Sequence, residues 1–386
     1  MQTIYKRDRV FWLISLQTGI YGYFMGGFGP AIPLLQADQG TTGAIAGLHG
    51  TALGLASLVA GALNSRVVHR FGRYRSAWLG ISIFLFGAFF FVTLSTPVQT
   101  ITSIFFAGIG ISMAIANTIT YLAGHYGDQS PQALSQNNGI TSLFNIFGTI
   151  TIGLLAATAV SWRLGLLACF PFAAILYLTM GKTHTPEHIP DVDGHQRGPL
   201  PKYYWFAWVG LVFTIGSEFA IIFWSAALIR ERTELDPALA TTLMLAFPLG
   251  MFLGRWFGAY VAPNRTVDFR LKLFLILQLI GFLLLWSSRA PLFSLVSLLI
   301  AGVGTSMQVI LSTTRLLRFS GSKEDLARGY ASLAAGMAIA GSPFLLGAIA
   351  DQLGIVKAFL IVPLFMATAF AIVLAVPIKN PSKEAK

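Results

Sequence analysis

The chain has 386 residues, of which 55% are hydrophobic and 11% are charged, and its mean hydropathy is +0.70. Soluble domains carry about 25% charged residues, so this composition excludes a soluble fold around one core and predicts a protein that crosses a membrane many times. The net charge of +11 does not indicate nucleic-acid binding, because the basic residues lie mostly in short loops between apolar segments. The single cysteine, Cys169, excludes a disulfide framework and a multi-cysteine metal site, and we expect no metal or other cofactor.

Twelve apolar segments follow one another along the chain, and each is long enough to approach the roughly 30 Å of bilayer hydrocarbon as a helix. Helices are expected because an open sheet leaves backbone groups unpaired in lipid. A polar connector, 181–202, separates six segments in 1–180 from six in 203–386, and each half has a basic loop after its second segment. This weak repeat predicts an all-α membrane protein of two six-helix bundles, as in transporters built from two parallel halves. The predicted segments are 10–35, 44–68, 76–94, 101–124, 134–160, 164–180, 203–229, 237–262, 271–286, 292–317, 327–352 and 355–378.

The basic residues predict how the chain is oriented. Short cytoplasmic loops of membrane proteins are rich in Lys and Arg. If the amino terminus is cytoplasmic, all but five of the 26 Lys and Arg residues fall on the cytoplasmic side. We therefore expect a multi-pass protein of the plasma membrane with both termini in the cytoplasm, acting as a monomer in the lipid bilayer. The five basic residues on the other side are Arg163, Arg230, Arg232, Arg289 and Lys357.

The segment from Phe206 to Leu228 carries the residue on which the functional prediction depends. Glu218 lies near its middle and is the only acid deep inside an apolar segment. An acid at the centre of a bilayer costs about 2.5 kcal/mol even on lenient insertion scales. Such a group is expected to face an internal cavity and to serve transport. The alternative is a glutamate that only hydrogen-bonds a neighbouring helix.

Three short stretches now point to one family. Residues 65–75, in the loop after the second segment, read SRVVHRFGRYR; residues 160–163 read VSWR; and residues 347–354 read GAIADQLG. Together with the six-plus-six organisation, they resemble the major facilitator superfamily over nearly the whole chain. The sequences GGFGPAIPLL in the first segment and GSEFAIIFW in the seventh are similar to those of the fucose-permease-like branch, which imports sugars with protons.

The loop after the second segment resembles the signature of that family, Gly-x-x-x-Asp-Arg-x-Gly-Arg-Arg/Lys. Arg70, Gly72 and Arg73 match it, whereas His69 stands where the family has Asp. In the family, the Asp and the Arg help to latch the two halves, so the resemblance implies a gating role for the three matching residues. Asp351, in the third stretch, suits a helix end and a tight link to the last segment, and we group it with these motif residues.

In this family the first, fourth, seventh and tenth segments would line a central cavity. Each of the four carries polar residues three, four or seven positions apart, which places them on one helix face. The alternative for any one of them is a hydrogen bond between helices, worth about 0.6 kcal/mol. Asn145, in the fifth segment, is a further candidate. The predicted solute-binding residues are Gln17, Tyr21, Asn117, Tyr121, Asn145, Glu218, Gln308 and Ser312.

We therefore expect a secondary active transporter that moves a small organic solute by alternating access. Glu218 is the predicted proton-coupling residue, and the resemblance implies uptake of a sugar-like solute together with protons. The alternative is a proton-driven efflux antiporter for amphipathic compounds, although the fifth segment lacks the Gly-Pro pair typical of such exporters. An enzyme is not expected, because the sequence has no His-x-x-Glu-His, Gly-x-Ser-x-Gly or P-loop motif.

Overall fold

The computed structural model describes residues 6–183, 198–262, 264–321 and 323–378, and within these ranges the chain forms helices and turns without a strand. Most of the predicted connector, 184–197, lies outside the described residues. Each half contributes six helical spans. We number them α1 Arg9–Gln39, α2 Gly43–Phe71, α3 Arg73–Thr93, α4 Pro97–Tyr126, α5 Ser130–Ala156, α6 Trp162–Met180, α7 Lys202–Thr233, α8 Pro237–Phe257, α9 Val267–Ser287, α10 Pro291–Arg318, α11 Glu324–Leu353 and α12 Ile355–Ala375.

Eleven of these spans, α2 to α12, are long and apolar enough to cross a membrane, counted over the described residues. The remaining span, α1, is 31 residues long and mostly buried, but its glycines, tyrosines and Gln17 lower its hydropathy. A helix of that length extends about 46 Å, more than the hydrocarbon thickness. The prediction of an all-α membrane fold is therefore confirmed.

Three of the spans contain a break that proline explains. After the break, the regular α-helix begins at Cys169 in α6, at Ala246 in α8 and at Ile361 in α12. In each, a proline is the third residue after the break: Pro171, Pro248 and Pro363. Proline has no N–H and its ring clashes with the carbonyl four residues earlier, which is where each break lies. The further break, at Met307 in α10, has no proline beside it.

Small residues set the closest helix approaches within each half. A Cβ added to Gly110 of α4 would lie 2.2 Å from the backbone nitrogen of Phe84 in α3. In the second half, a Cβ on Gly304 of α10 would lie 2.2 Å from the backbone nitrogen of Gln278 in α9. The third and fourth helices of the first half thus pack as the third and fourth helices of the second half do, through glycine.

The end of the bundle that holds Asp8, Gly72, Lys202 and Arg318 is called the basic end below, and the opposite end is called the distal end. At the basic end, Arg315 of α10 is buried and its Nε lies 3.0 Å from Asp268 Oδ1 at the start of α9. Arg315 also donates to the Val376 carbonyl, and Asp268 Oδ2 accepts from the Ile378 N–H at 2.7 Å. This cluster joins α9, α10 and the end of α12.

We expect Asp268→Leu to destabilise the fold by about 3–5 kcal/mol, because it leaves the buried Arg315 guanidinium without its counter-charge. The Asp268→Leu/Arg315→Leu double variant should recover most of that loss, since it removes both charges. The measurement is thermal unfolding in detergent. The control is Asp38→Leu: the Asp38 carboxylate lies 3.5 Å from Arg163 but is 44% exposed, so its loss should cost about 1 kcal/mol or less. Equal shifts for the two single variants would contradict the expectation.

Candidate functional site

A cavity of about 350 Å³ lies at the centre of the bundle, between the two halves. Its volume is within the range of about 300–1,000 Å³ that is usual for small-molecule sites. Helices α1, α2, α4 and α5 line it from the first half, and α7, α8 and α11 line it from the second. Its polar or charged lining residues are Tyr21, Ser57, Ser112, Asn138, Thr141, Asn145, Thr149, Glu218 and Arg255, and its larger apolar ones include Met25, Phe219, Met244, Phe247 and Met251.

Glu218 of α7 projects into this cavity and is 8% exposed. Its carboxyl forms no hydrogen bond or ion pair with any residue that the structure describes. Burial makes the charged form of this carboxyl costly, and Arg255 in the same cavity offers a counter-charge without a direct contact. Glu218 thus presents an acidic group without a hydrogen-bond partner in the described chain to the contents of the cavity.

Arg255 of α8 faces the same cavity. Its Nη1 donates to Ser142 Oγ of α5 at 2.9 Å, a hydrogen bond that joins the two halves. Within the described chain no ion pair links it to Glu218, although both line one cavity. Arginine has five N–H donors, so most of its hydrogen-bonding capacity remains directed at the cavity.

The cavity is continuous with a second space of about 570 Å³ that extends toward the basic end. The two share Ser57, Ser112, Ile115 and Ile339 in their linings. This vestibule runs between α2 and α4 on one side and α11 on the other. Its described lining includes His69 and Arg73 and contains no acidic residue. A solute can therefore reach the cavity from the basic end.

Close helix contacts between the halves seal the distal end. A Cβ on Gly47 of α2 would lie 2.7 Å from the backbone of Phe344 in α11, and a Cβ on Gly54 would lie 2.3 Å from the Gly336 carbonyl. Between α1 and α7, the rings of Phe28 and Phe223 have centroids 5.8 Å apart in an edge-to-face arrangement. These contacts separate the cavity from the distal surface, where a recess of about 950 Å³ between α1, α5, α7 and α8 shares no lining residue with the cavity. The cavity is thus open toward the basic end and closed toward the distal end.

Asp351 of α11 strengthens this seal. Its Oδ1 accepts from the Gly43 N–H at 2.6 Å and its Oδ2 from the Ala44 N–H at 2.8 Å. Both N–H groups belong to the first turn of α2, where the unpaired donors and the helix dipole favour a negative charge. Asp351 therefore connects the two halves across the distal end.

We expect Asp351→Asn to weaken distal closure by about 1 kcal/mol, since the neutral amide loses the interaction with the helix dipole. The measurement is the labelling rate of Ser112→Cys in the cavity by an impermeant thiol reagent presented at the distal face. That rate should rise about fivefold, the population change that corresponds to 1 kcal/mol. Asp236→Asn is the control, because Asp236 caps α8 within its own half. An unchanged labelling rate in Asp351→Asn would contradict the assignment.

Three of the eight predicted solute-binding residues line the cavity: Tyr21, Asn145 and Glu218. The Asn145 Oδ1 atom is buried without a hydrogen-bond partner and is thus free for a ligand. The other five lie outside the cavity lining in this conformation, and their role in solute binding stays a prediction. They are Gln17, Asn117, Tyr121, Gln308 and Ser312.

In α4 and α10, the predicted stripes face neighbouring helices of the same half. Asn117 Nδ2 donates to Asn64 Oδ1 of α2 at 2.7 Å. Gln308 Nε2 donates to Gln278 Oε1 of α9 at 2.7 Å, and Ser312 lies beside the Arg315 cluster. These contacts are the hydrogen bonds between helices that the sequence left open as the alternative. Gln17 is fully buried, and neither atom of its amide has a partner among the described residues.

Arg255 is the principal cavity residue that the predicted site omitted. The sequence does contain a signal for it, because a charge inside an apolar stretch of α8 is as unusual as Glu218 is in α7. Asn138 and Thr141, which lie on the α5 face that also carries Asn145, were missed as well. Helix α5 therefore contributes more of the polar lining than α4 or α10.

Three of the four motif residues, Arg70, Gly72 and Arg73, lie at the α2–α3 corner of the basic end, whereas Asp351 lies at the distal end. Gly72 has φ +77°, a backbone conformation that favours glycine, and it is the single residue between the end of α2 and the start of α3. The Arg70 guanidinium lies 5.5 Å from the centroid of the Phe71 ring, and Arg73 lines the vestibule. Their gating role stays a prediction.

Comparison with known proteins now identifies the family. The sequence profile of the Major Facilitator Superfamily matches residues 14–322, well over half of the chain. No curated protein sequence matches. Solved structures that share the fold include the inward-open xylose transporter XylE from E. coli, with a TM-score of 0.78 at 11% identity, covering 96% of this chain and 97% of that chain.

Two further solved structures share the fold. The nucleoside transporter NupG has a TM-score of 0.70 at 16% identity, covering 96% of this chain and 99% of that chain. FucP in its outward conformation has a TM-score of 0.68 at 14% identity, with the same two coverages. At these identities the similarity establishes the fold, and together with the family profile it indicates a secondary membrane transporter rather than an enzyme. The chain belongs to the Major Facilitator Superfamily.

Proposed function

We propose that this protein is a proton-coupled transporter that moves a small organic solute by alternating access, with Glu218 carrying the coupled proton. The observation that carries the proposal is the unpartnered Glu218 carboxyl in a central cavity that is open at one end only. Glu218 shares the cavity with Arg255, so protonation of its carboxyl changes the net charge of the cavity by one unit. Protonation therefore changes the free energy of closing the cavity, and this change couples the proton to the conformational step.

The proposed cycle is a rocking of the two halves about the central cavity. In the conformation described here, solute exchanges through the basic end. Closure of the vestibule between α2, α4 and α11, followed by separation of the distal contacts, would expose the cavity to the other side. Since Lys and Arg are concentrated at the basic end, we propose that this end and both termini face the cytoplasm of a plasma membrane. The conformation is then inward-facing.

The solute is proposed to bind Tyr21, Asn145 and Glu218, together with Arg255. Neutral polar groups from α1 and α5 suit a solute with hydroxyl or carbonyl groups, and the sugar and nucleoside transporters that share the fold agree with a small polar solute. One chain supplies both walls of the cavity, so we propose that the monomer is the functional unit.

The test uses purified protein in sealed vesicles. A ligand is first found by thermal-shift screening, because binding to the native state raises apparent stability. The vesicles are then loaded with that solute, and counterflow of labelled solute is measured with and without a pH gradient. Saturable counterflow, with accumulation when a gradient is imposed, is expected. Non-saturating flux would indicate a channel and overturn the proposal.

The second candidate is an efflux antiporter, favoured by the apolar wall of Met25, Met244 and Met251 beside Glu218. Flexible methionine surfaces accept solutes of varied shape. An antiporter releases a proton from Glu218 when the solute binds, whereas a symporter binds both together. Proton release or uptake on adding ligand to weakly buffered protein separates the two: release supports the antiporter and uptake supports the symporter.

A further inference from the structure

We propose that the transported solute is a small organic monoanion with an apolar body, and that it crosses together with one proton as an electroneutral pair. This inference rests on the proposed function at the same cavity and assigns its substrate class. Arg255 would bind the acidic group, and Glu218 would carry the proton.

The guanidinium of Arg255 has the geometry of an anion-binding group. It faces the cavity, and its only hydrogen bond within the described chain is the one from Nη1 to Ser142 Oγ at 2.9 Å. That bond comes from the opposite half and holds the side chain in place without neutralising it. A fixed guanidinium with free donors and no direct contact with Glu218 is suited to bind a carboxylate through two parallel hydrogen bonds once Glu218 is protonated.

Charge balance explains why an anion and a proton would move together. Glu218 and Arg255 are the two charged residues among the described lining residues of the central cavity. With Glu218 ionised, the empty cavity is neutral; with Glu218 protonated and a monoanion bound to Arg255, the loaded cavity is neutral as well. An anion without a proton leaves a net charge of −1, and a proton without an anion leaves +1. Closing a charged cavity in a low-dielectric bundle is costly, so only the two neutral states undergo the conformational change that moves the cavity from one side to the other.

The remainder of the lining indicates the body of the solute. Met25, Met244, Met251, Phe219 and Phe247 supply an apolar wall around the charged pair. A volume of about 350 Å³ suits a compact solute rather than a long-chain amphiphile. Monocarboxylic acids with an aromatic or branched aliphatic body combine these properties.

The binding test compares matched compounds on purified protein in detergent. Monocarboxylates from acetate to phenylacetate are paired with their neutral amides, and phenylalanine and xylose represent zwitterions and sugars. We expect the larger acids to raise the unfolding temperature of the native chain while their amides do not. Acid affinity should fall at least about thirtyfold in Arg255→Gln and partly recover in Arg255→Lys. Ser142→Ala should weaken acid binding less than Arg255→Gln does, because it releases the guanidinium but leaves the cation. If no acid stabilises the protein, or if Arg255→Gln binds acid as tightly as the native chain, the proposal is overturned.

The transport test measures uptake of the acid that binds best into vesicles, with the flux of protein-free vesicles subtracted. Uptake should respond to an imposed pH gradient and not to a potassium diffusion potential, because the loaded carrier has no net charge. Dependence on the potential overturns the electroneutral pairing. Gradient-driven transport of a neutral solute would overturn the anion assignment and leave the proposed function intact. If no solute responds to a pH gradient, the proposed function itself fails.

Discussion

Replacing Glu218 with Gln is expected to abolish accumulation of solute against its gradient while leaving exchange of solute across the membrane. Gln keeps the volume and polarity of the side chain but has no titrating proton. With coupling of one proton to one solute, a gradient of one pH unit supports accumulation of about tenfold, since one unit corresponds to about 1.4 kcal/mol. In Glu218→Gln this ratio should fall to one. Vesicles with an imposed pH gradient measure accumulation, and counterflow of labelled solute at equal pH measures exchange.

Glu231→Gln is the matched control for this experiment. Glu231 lies on α7 as well, but at the exposed distal end. The Glu231→Gln variant should accumulate solute to the same ratio as the native chain. If Glu218→Gln accumulates solute fully, the proton is carried elsewhere and the assignment fails. If it loses both accumulation and exchange, Glu218 acts mainly in binding the solute, and proton coupling must be assigned to another group.

The second large effect is expected from Gly54→Ala in α2. The added Cβ would lie 2.3 Å from the Gly336 carbonyl of α11 and 2.5 Å from the backbone nitrogen of Ala340, so the distal contact cannot form as described. Overpacking of this kind costs about 1–3 kcal/mol. In the proposed cycle this cost applies to the distal-closed conformation alone, because α2 and α11 would separate in the alternate conformation. We expect transport to fall about tenfold or more, since each cycle must close this end.

Gly61→Ala is the matched control, because it makes the same change on the same helix. A Cβ at Gly61 meets nothing within 4 Å, so the distal contact should form as it does in the native chain. Labelling of Ser112→Cys from the distal face should increase in the Gly54→Ala background and remain low in the Gly61→Ala background. Cys169 is buried and contributes little background. Normal transport by Gly54→Ala would show that α2 and α11 do not form the distal seal.

Length, apolar runs and charge placement were sufficient to predict the helical spans of this protein. A segment of about 20 apolar residues has few alternatives to a membrane helix, since lipid offers no partner for its backbone. The same logic singled out Glu218, because an acid in such a segment is costly wherever the neighbouring helices lie. These are properties of one helix and its solvent, so they can be read from the chain in order.

Which face of a helix meets the cavity depends on all of its neighbours, and only the tertiary structure decided it. Gln308 and Asn117 have the same spacing that a cavity residue would have, yet each bonds a helix of its own half. Arg255 reaches the cavity because α8 presents that face to α5. Asp351 connects the halves because packing brings the start of α2 to the end of α11, some 300 residues along the chain. Helical periodicity places a side chain on a face, but long-range packing determines whether that face meets solute, lipid or another helix.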